Sequence, residues 1–445
     1  LARMVNGSQH LHPQDEIPPQ PPTHEGLATN NRRPRRRRIV GLIAGIVVVA
    51  LIASYVALTL TAPVGPATAT DAAPAVAPLA AASIDLPSTG ESAVSVSGAS
   101  DYLGTPKGGI LATSAKDAPV PMASISKVIT ALVVLKAKPL GASGTGPTIQ
   151  FTRAETELYE KYFKLNATIA PMPVGTTMSE YAAIETMLVP SACNYAEALG
   201  DWAYGSEGAF IAATNAWLKA HGITHTTMVE PTGLDGQNKS TPSDLIAIGK
   251  LAMANPAIAK IVDKPDVEAI PSLSGFLNTN DLLGVDGVVG IKTGTLDSAG
   301  SDLLFSAIET PGTPKPITIT GVILGGDSRS DVDTAVKNLI TGIDNGFQKV
   351  QLGAAGESVG TYTTPWGSSA KIVLSKSAST LVWSDTRITS SLKITPTLTT
   401  TSNGETVGSI TWVAGKSTVS APVVLKGTIT GPSVLWRLTH PVQLL

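Results

Sequence analysis

Ser124 and Lys127 stand three residues apart in Pro121-Met122-Ala123-Ser124-Ile125-Ser126-Lys127. On a helix that spacing stacks both side chains on one face. A serine hydroxyl is a weak nucleophile until a neighbour takes its proton. A lysine amine can take it only when neutral, a state that burial or a second cation favours. A helix beginning near Ser124 adds free backbone N–H groups and the positive end of its dipole. Alone, S-x-x-K is a weak signal. Ser368…Lys371 and Ser390…Lys393 repeat it in a strand-like region, and a serine N-cap beside a solvated lysine accounts for a single match.

Two more clusters have matching chemistry. Val189-Pro190-Ser191-Ala192-Cys193-Asn194-Tyr195-Ala196 lies between two helical segments. A hydroxyl beside an amide can relay a proton and hold a substrate amide, although Ser191 by itself reads as a helix cap. Gly290-Ile291-Lys292-Thr293-Gly294-Thr295 precedes Ala299-Gly300 and a strand. A lysine among small residues lets a ligand backbone lie along the edge as an added strand, with the ammonium on a carboxylate. By itself that tripeptide is an ordinary turn.

The elements that must position these residues follow from periodicity. Val128, Ile129, Leu132 and Leu135 mark a buried helix starting near Ser124. Thr177 and Glu180 form a capping-box pattern before Tyr181, Ile184 and Leu188. Phe210, Ala213, Trp217 and Ala220 predict another helix, ended at Gly222. Leu303–Ile308 and Ile317–Leu324 read as strands, and Val332, Val336, Leu339, Ile343 and Phe347 as a last helix. Helices followed by late strands imply an α+β or α/β sandwich over residues 86–350. Residues 351–445 lose helical periodicity. Lys371–Leu374, Thr380–Trp383, Ile410–Val413 and Val423–Leu425 predict a small all-β domain.

The amino-terminal part is different. Residues 1–38 read as a disordered cytoplasmic tail ending in six arginines: Arg32, Arg33, Arg35, Arg36, Arg37 and Arg38. Ile39 to Leu60 then runs 22 residues without a charge, a helix of about 33 Å that can cross a bilayer. The next basic residue is Lys107, so the tail is expected in the cytoplasm and the remainder outside. A cleaved signal sequence ending at Ala67-Thr68-Ala69 is the rival. Its apolar stretch would exceed the usual ~7–15 residues. The Ala/Pro/Thr-rich residues 61–85 are expected to be an extended linker.

Composition removes other classes. The 445 residues carry 32 basic and 34 acidic groups, net −2, which argues against nucleic acid as a partner. One cysteine and six histidines exclude a disulfide framework and a cysteine-built metal centre, and no cofactor or metal is expected. Aromatics are 4% of the chain, so the core must rest on Val, Ile, Leu and Ala. Gly356-Glu357-Ser358-Val359-Gly360 lacks the following helix of a nucleophile elbow, and Gly415-Lys416-Ser417-Thr418 lacks the leading glycine of a phosphate loop, since residue 410 is Ile. His221 and His225 flank Gly222 where a zinc protease has its glutamate. Leu86-Pro87-Ser88-Thr89-Gly90 resembles a sorting signal but follows the apolar segment.

Taken together, the three clusters decide the reading. S-x-x-K, then Ser191, then Lys-Thr-Gly, 67 and 101 residues apart in that order, resemble the penicillin-binding proteins and serine β-lactamases. With the flanking Gly233-Leu234 and Ser240-Thr241-Pro242-Ser243-Asp244-Leu245, residues 90–350 resemble the D-alanyl-D-alanine carboxypeptidases. The resemblance implies an antiparallel sheet flanked by helices and a membrane-anchored enzyme trimming peptidoglycan stem peptides, with β-lactams as covalent inhibitors. It implies Ser124 as nucleophile, Lys127 as base and Ser191 as proton relay. Lys292 and Thr293 would hold the terminal carboxylate, and the N–H groups of Ser124 and Thr295 would form the oxyanion hole. Lys292 would help keep Lys127 neutral.

One position departs from the family. Its second cluster is usually Ser-x-Asn, whereas Cys193 stands third here and Asn194 fourth. Either Cys193 occupies the place, with altered substrate positioning, or Asn194 substitutes through a local shift. A transpeptidase of the same fold and a wall-binding protein that stays acylated are the alternatives; a β-lactamase fits the anchor and the β-domain less well.

Overall fold

A computed structural model describes residues 33–104, 106, 109–114, 116–141, 144–269, 273–395 and 402–444. The expected tail lies outside these residues up to position 32. The chain divides into two compact units, Leu1–Gly65 with Gly431–Leu445, and Pro66–Thr430.

In the first unit, helix α1 (Arg33–Thr61) contains the uncharged run. Arg36–Thr61 is long and apolar enough to cross a membrane, and its most apolar 18-residue stretch is not buried by protein. A short helix, Val434–Thr439, belongs to the same unit.

The second unit opens with β1 (Thr68–Asp71), and here the structure differs from the expected linker. β1 pairs antiparallel with a strand near residue 361, and Ala82, Ile84 and Leu86 pack on the core farther along. Alanine and threonine tolerate extended backbone, and the paired strand supplies the hydrogen bonds that a free spacer would leave to water.

The catalytic-type half is built on a five-stranded antiparallel sheet. Its strands are β2 (Glu91–Ser97), β3 (Ala112–Thr113), β4 (Val288–Leu296), β5 (Gly300–Glu309) and β6 (Ile317–Gly326), in the order β4-β5-β6-β2-β3. β4, which carries Lys292-Thr293-Gly294, is therefore an edge strand. One sheet face meets a mainly helical core that includes Ile129, Leu132, Ile184, Leu199, Leu245, Leu304 and Val322. The other meets Val332, Val336, Leu339 and Ile343. Aliphatic residues dominate both cores, as the scarcity of aromatics demands.

The helices of that first core are α2 (Ser126–Ala137), α3 (Arg153–Lys164), α4 (Glu180–Leu188), α5 (Cys193–Tyr204), α6 (Glu207–Ala220) and α7 (Pro242–Ala254). α8 (Arg329–Gly346) covers the opposite face. The expected capping box at Thr177 is not how α4 starts. Thr177 pairs with Gln150 in a short strand, and Ser179 caps the helix by accepting the Ala182 N–H at 3.2 Å. Strand pairing claimed the threonine, and the next hydroxyl did the capping.

The β-rich half is a sandwich. β7 (Phe347–Gly353) and β10 (Ala378–Trp383) form a two-stranded sheet. β8 (Ser358–Thr363), β9 (Ser369–Leu374), β11 (Ile388–Ile394), β12 (Thr406–Ala414) and β13 (Ser417–Lys426) join β1 in a six-stranded one. Leu352, Tyr362, Ile372, Trp412 and Val423 fill the space between them. Strand β7 runs across the expected boundary at 350/351, and the edge-to-face pair Phe347–Trp383, centroids 5.2 Å apart, belongs to the same core as α8.

Candidate active site

The first cluster forms because the chain turns sharply before α2. Ala123 has φ +43°, Ala123–Ile125 is a single 3-10 turn, and α2 continues from it. A left-handed alanine costs about 1–3 kcal/mol and persists only where the surroundings over-determine it. Here Gly233 packs against the Ala123 carbonyl and Gly294 against the Ala123 methyl, where an added Cβ would stand 1.9 Å and 3.1 Å away, respectively.

Lys127 is completely buried. Its Nζ lies 2.8 Å from Ser124 Oγ, 3.3 Å from Cys193 Sγ and 2.7 Å from the Thr232 carbonyl oxygen. No ion pair of Lys127 or Lys292 is found among the described residues. A neutral amine has two N–H donors and one lone pair. Lys127 Nζ can donate to the carbonyl and the sulfur while it faces the serine hydroxyl.

The loop that supplies Thr232 is organised by Glu230. Its carboxylate accepts the N–H groups of Thr232 and Gly233, both at 2.6 Å, and the Asn238 amide at 3.0 Å. Asn238 also donates to Ser126 Oγ at 3.2 Å. Sequence reasoning singled out Gly233-Leu234 but missed Glu230 and Asn238, because nothing in their spacing indicates a shared loop.

The second cluster divides. Cys193 opens α5 against Lys127, whereas Asn194 faces away. Asn194 is fully buried; its Oδ1 accepts the Ala170 N–H at 3.1 Å and its Nδ2 donates to the Ala170 carbonyl at 2.8 Å. The Cys193 N–H donates to the Thr168 carbonyl at 2.8 Å and the Tyr195 hydroxyl to the Pro171 carbonyl at 2.9 Å. Three consecutive residues thus pin the 168–171 loop. Ser191 is buried with φ +69°, and its hydroxyl makes no hydrogen bond to Ser124 or Lys127 among the described residues.

The third cluster lies on the edge strand. Lys292 is buried, with Nζ 3.2 Å from the Thr293 carbonyl and 3.5 Å from both Thr279 Oγ1 and Thr293 Oγ1. Burial, with added repulsion from Lys127 and Arg329, pushes its ammonium well below the usual lysine range; Cys193 acts in the opposite sense. Arg329, unnoticed in the sequence, opens α8 and donates to the Thr279 carbonyl at 2.9 Å. Thr293 and Thr279 share a hydroxyl hydrogen bond of 2.6 Å. Thr295 is exposed, its hydroxyl turned back onto the Gly294 carbonyl at 2.8 Å. Among the described residues no group of His, Cys, Asp and Glu could hold a metal ion.

The family model for D-alanyl-D-alanine carboxypeptidase, peptidase S11, matches residues 99–326, about half of the chain. The chain belongs to that family. A D-alanyl-D-alanine endopeptidase of Pseudomonas aeruginosa is 30% identical over 205 residues, which are 44% of this chain and 63% of that relative. The match thus spans less than two thirds of that relative. Among solved structures, a D-alanyl-D-alanine carboxypeptidase DacD from Francisella tularensis shares the fold, with TM-score 0.52 and 19% identity over 79% of this chain and 96% of that one. A mutant of the Streptomyces K15 DD-transpeptidase aligns with TM-score 0.50 and 25% identity, covering 58% of this chain and 98% of that one.

Proposed function

We propose that this S11-family chain is a membrane-anchored serine D-Ala-D-Ala carboxypeptidase acting on peptidoglycan stem peptides. The observation that carries the proposal is the buried Lys127 amine, 2.8 Å from Ser124 Oγ and without a carboxylate partner among the described residues. Ser124 Oγ attacks the carbonyl of the penultimate D-alanine while Lys127 Nζ takes its proton. The N–H groups of Ser124 and Thr295 meet the negative charge that develops on the carbonyl oxygen. The C–N bond then breaks, and D-alanine leaves with a proton relayed through Ser191. Water cleaves the acyl-ester and restores Ser124.

Lys292, Thr293 and Arg329 hold the terminal carboxylate. A buried ammonium whose charged form is disfavoured chiefly by desolvation gains most from an anionic ligand. The stem peptide lies along the free edge of β4 as an added strand. α1 crosses the membrane once, with the arginine block inside and the enzyme outside. β-Lactams acylate Ser124 in place of the peptide.

A second reading, peptide transfer to an amine, is favoured by Cys193 at the lysine and by the likeness to a solved DD-transpeptidase. Fluorescent penicillin and a model pentapeptide test both. Covalent label on Ser124 with free D-alanine supports the carboxypeptidase. Label with transfer to an added amine but no net hydrolysis supports the second reading, and no label on Ser124 removes both.

A further inference from the structure

Beneath the edge strand lies a carboxyl group that the acyl-transfer steps leave unused. Asp302 stands opposite Gly294 in the β4–β5 pairing, so its side chain and the bare face of Gly294 lie on the same side of the sheet. A Cβ added to Gly294 would stand 3.1 Å from the Ala123 methyl carbon and 3.2 Å from Asp302 Oδ2. The carboxyl therefore sits under the contact between β4 and the turn that carries Ser124. It is 3% exposed. Oδ1 accepts the Gly325 N–H at 2.8 Å, and Oδ2 is buried without a hydrogen-bond partner among the described residues. Asp302 makes no salt bridge among those residues either.

The two neighbours of that oxygen connect it to the chemistry. Ala123 immediately precedes Ser124, and Gly294 immediately precedes Thr295. The N–H groups of Ser124 and Thr295 are the pair that meets the developing oxyanion. A protonated Asp302 leaves the space behind both donors neutral. A carboxylate there would set a full negative charge behind them, against the charge that forms on the carbonyl oxygen in front. Other charged groups surround the site. Lys292 lies two residues before Gly294 and shares its sheet face, and Lys127 stands on α2 just after the turn. On the α8 side, Asp281, Arg329 and Asp333 border a small cavity together with Asp302. β6 contributes the Gly325 N–H. Burial, opposed by that one hydrogen bond, raises the carboxyl to about 7, so both of its forms are reached near neutral pH.

We propose that Asp302 sets the charge behind the oxyanion hole: protonated, it permits fast acylation of Ser124, and ionised, it slows acylation by every acyl donor. Asp302 touches no substrate and acts through the two N–H groups. The proposal rests on the reading of Ser124 as nucleophile with its own N–H and that of Thr295 as the oxyanion hole. Lys292 and Arg329 act on a different part of the donor. They meet its carboxylate, so a change in their charge slows only donors that carry one.

The test uses the full chain and two acyl donors, a fluorescent penicillin and a small ester without a carboxylate. Acylation rate constants are measured from about pH 5.5 to about pH 8.5 for the parent, Asp302→Asn and Asp302→Ser. Each rate is taken well below the melting midpoint at that pH, so unfolding does not enter. The ratio of variant to parent cancels the titrations that the proteins share. It is expected to be near one at about pH 5.5 and roughly tenfold at about pH 8.5 with both donors, below the roughly 100- to 1,000-fold cost of removing an oxyanion donor outright. A ratio independent of pH overturns the proposal and leaves the nucleophile standing. A ratio that rises with the penicillin but not with the ester places the effect at the carboxylate site of Lys292 and Arg329, which also overturns it. So does a rise found in Asp333→Asn and missing from the Asp302 variants. Failure of the penicillin to label Ser124 in the parent removes the active-site reading and this proposal together.

Discussion

Lys127 meets Cys193: its amine lies 3.3 Å from the thiol sulfur, while Asn194 points the other way and clasps Ala170. The second cluster therefore reaches the lysine through a weak acceptor where the family usually has an amide.

Replacing that sulfur should change the chemistry in a defined direction. Cys193→Ala leaves a buried N–H of Lys127 without a partner, a cost of about 1–3 kcal/mol or roughly 5- to 150-fold in acylation. Cys193→Asn supplies a strong acceptor. Free D-alanine released from a pentapeptide should rise relative to transfer onto an added amine. An unchanged ratio of hydrolysis to transfer in the Asn variant would remove Cys193 from partitioning.

Gly233 is a steric requirement of the turn that carries Ser124. With φ +88°, it has its α-carbon so close to Ala123 that a Cβ would stand 1.9 Å from the Ala123 oxygen and 2.9 Å from the Ser124 nitrogen. Gly233→Ala should destabilise the fold by about 1–3 kcal/mol. It should slow penicillin acylation by about 100-fold, the scale of an ångström's misplacement at a reacting centre. Stopped-flow labelling alongside thermal melting separates the two effects, and a variant that melts early but acylates normally would contradict this placement.

Asp302 makes the stability of the fold depend on pH. It lies opposite Gly294 on β5 and is buried, with one oxygen on the Gly325 N–H at 2.8 Å and the other unpartnered among the described residues. Burial, opposed by that one hydrogen bond, raises its carboxyl from 3.8 to about 7. The folded chain therefore binds this proton more tightly than the unfolded one. The group's contribution is fully present below about pH 4 and is lost as pH rises towards about 7, by about 4 kcal/mol in all. Asp302→Asn should match the parent near pH 4 and melt progressively higher than it up to about pH 7, with a constant gap above. A gap independent of pH would mean that Asp302 is ionised throughout.

Lys292 should act on substrate affinity. Lys292→Met removes a charge-assisted contact of about 1.5–3 kcal/mol. KM for a carboxylate-bearing peptide should then rise roughly 10- to 150-fold, while acylation by a small ester without a carboxylate stays nearly unchanged. Equal losses on both substrates would place Lys292 in the proton transfer and not in carboxylate binding.

The sequence by itself determined the ordered clusters, the charge-free helix and most of the strands and helices, because spacing along one helix or one strand is a local property. Ser124 and Lys127 could be paired on paper since three residues make almost one helical turn. Tertiary structure alone decided that Cys193 and not Asn194 faces Lys127, that Glu230 and Asn238 hold the Thr232 carbonyl under it, and that Arg329 stands near Lys292. It also paired Thr68–Asp71, within the expected linker, as an edge strand and placed the C-terminal helix on α1. These relations join residues far apart in the chain, and which side chain faces which depends on helix rotation and loop path. A one-residue difference such as that between Cys193 and Asn194 is about 100° on a helix, enough to exchange a place beside the Lys127 amine for a structural hydrogen bond.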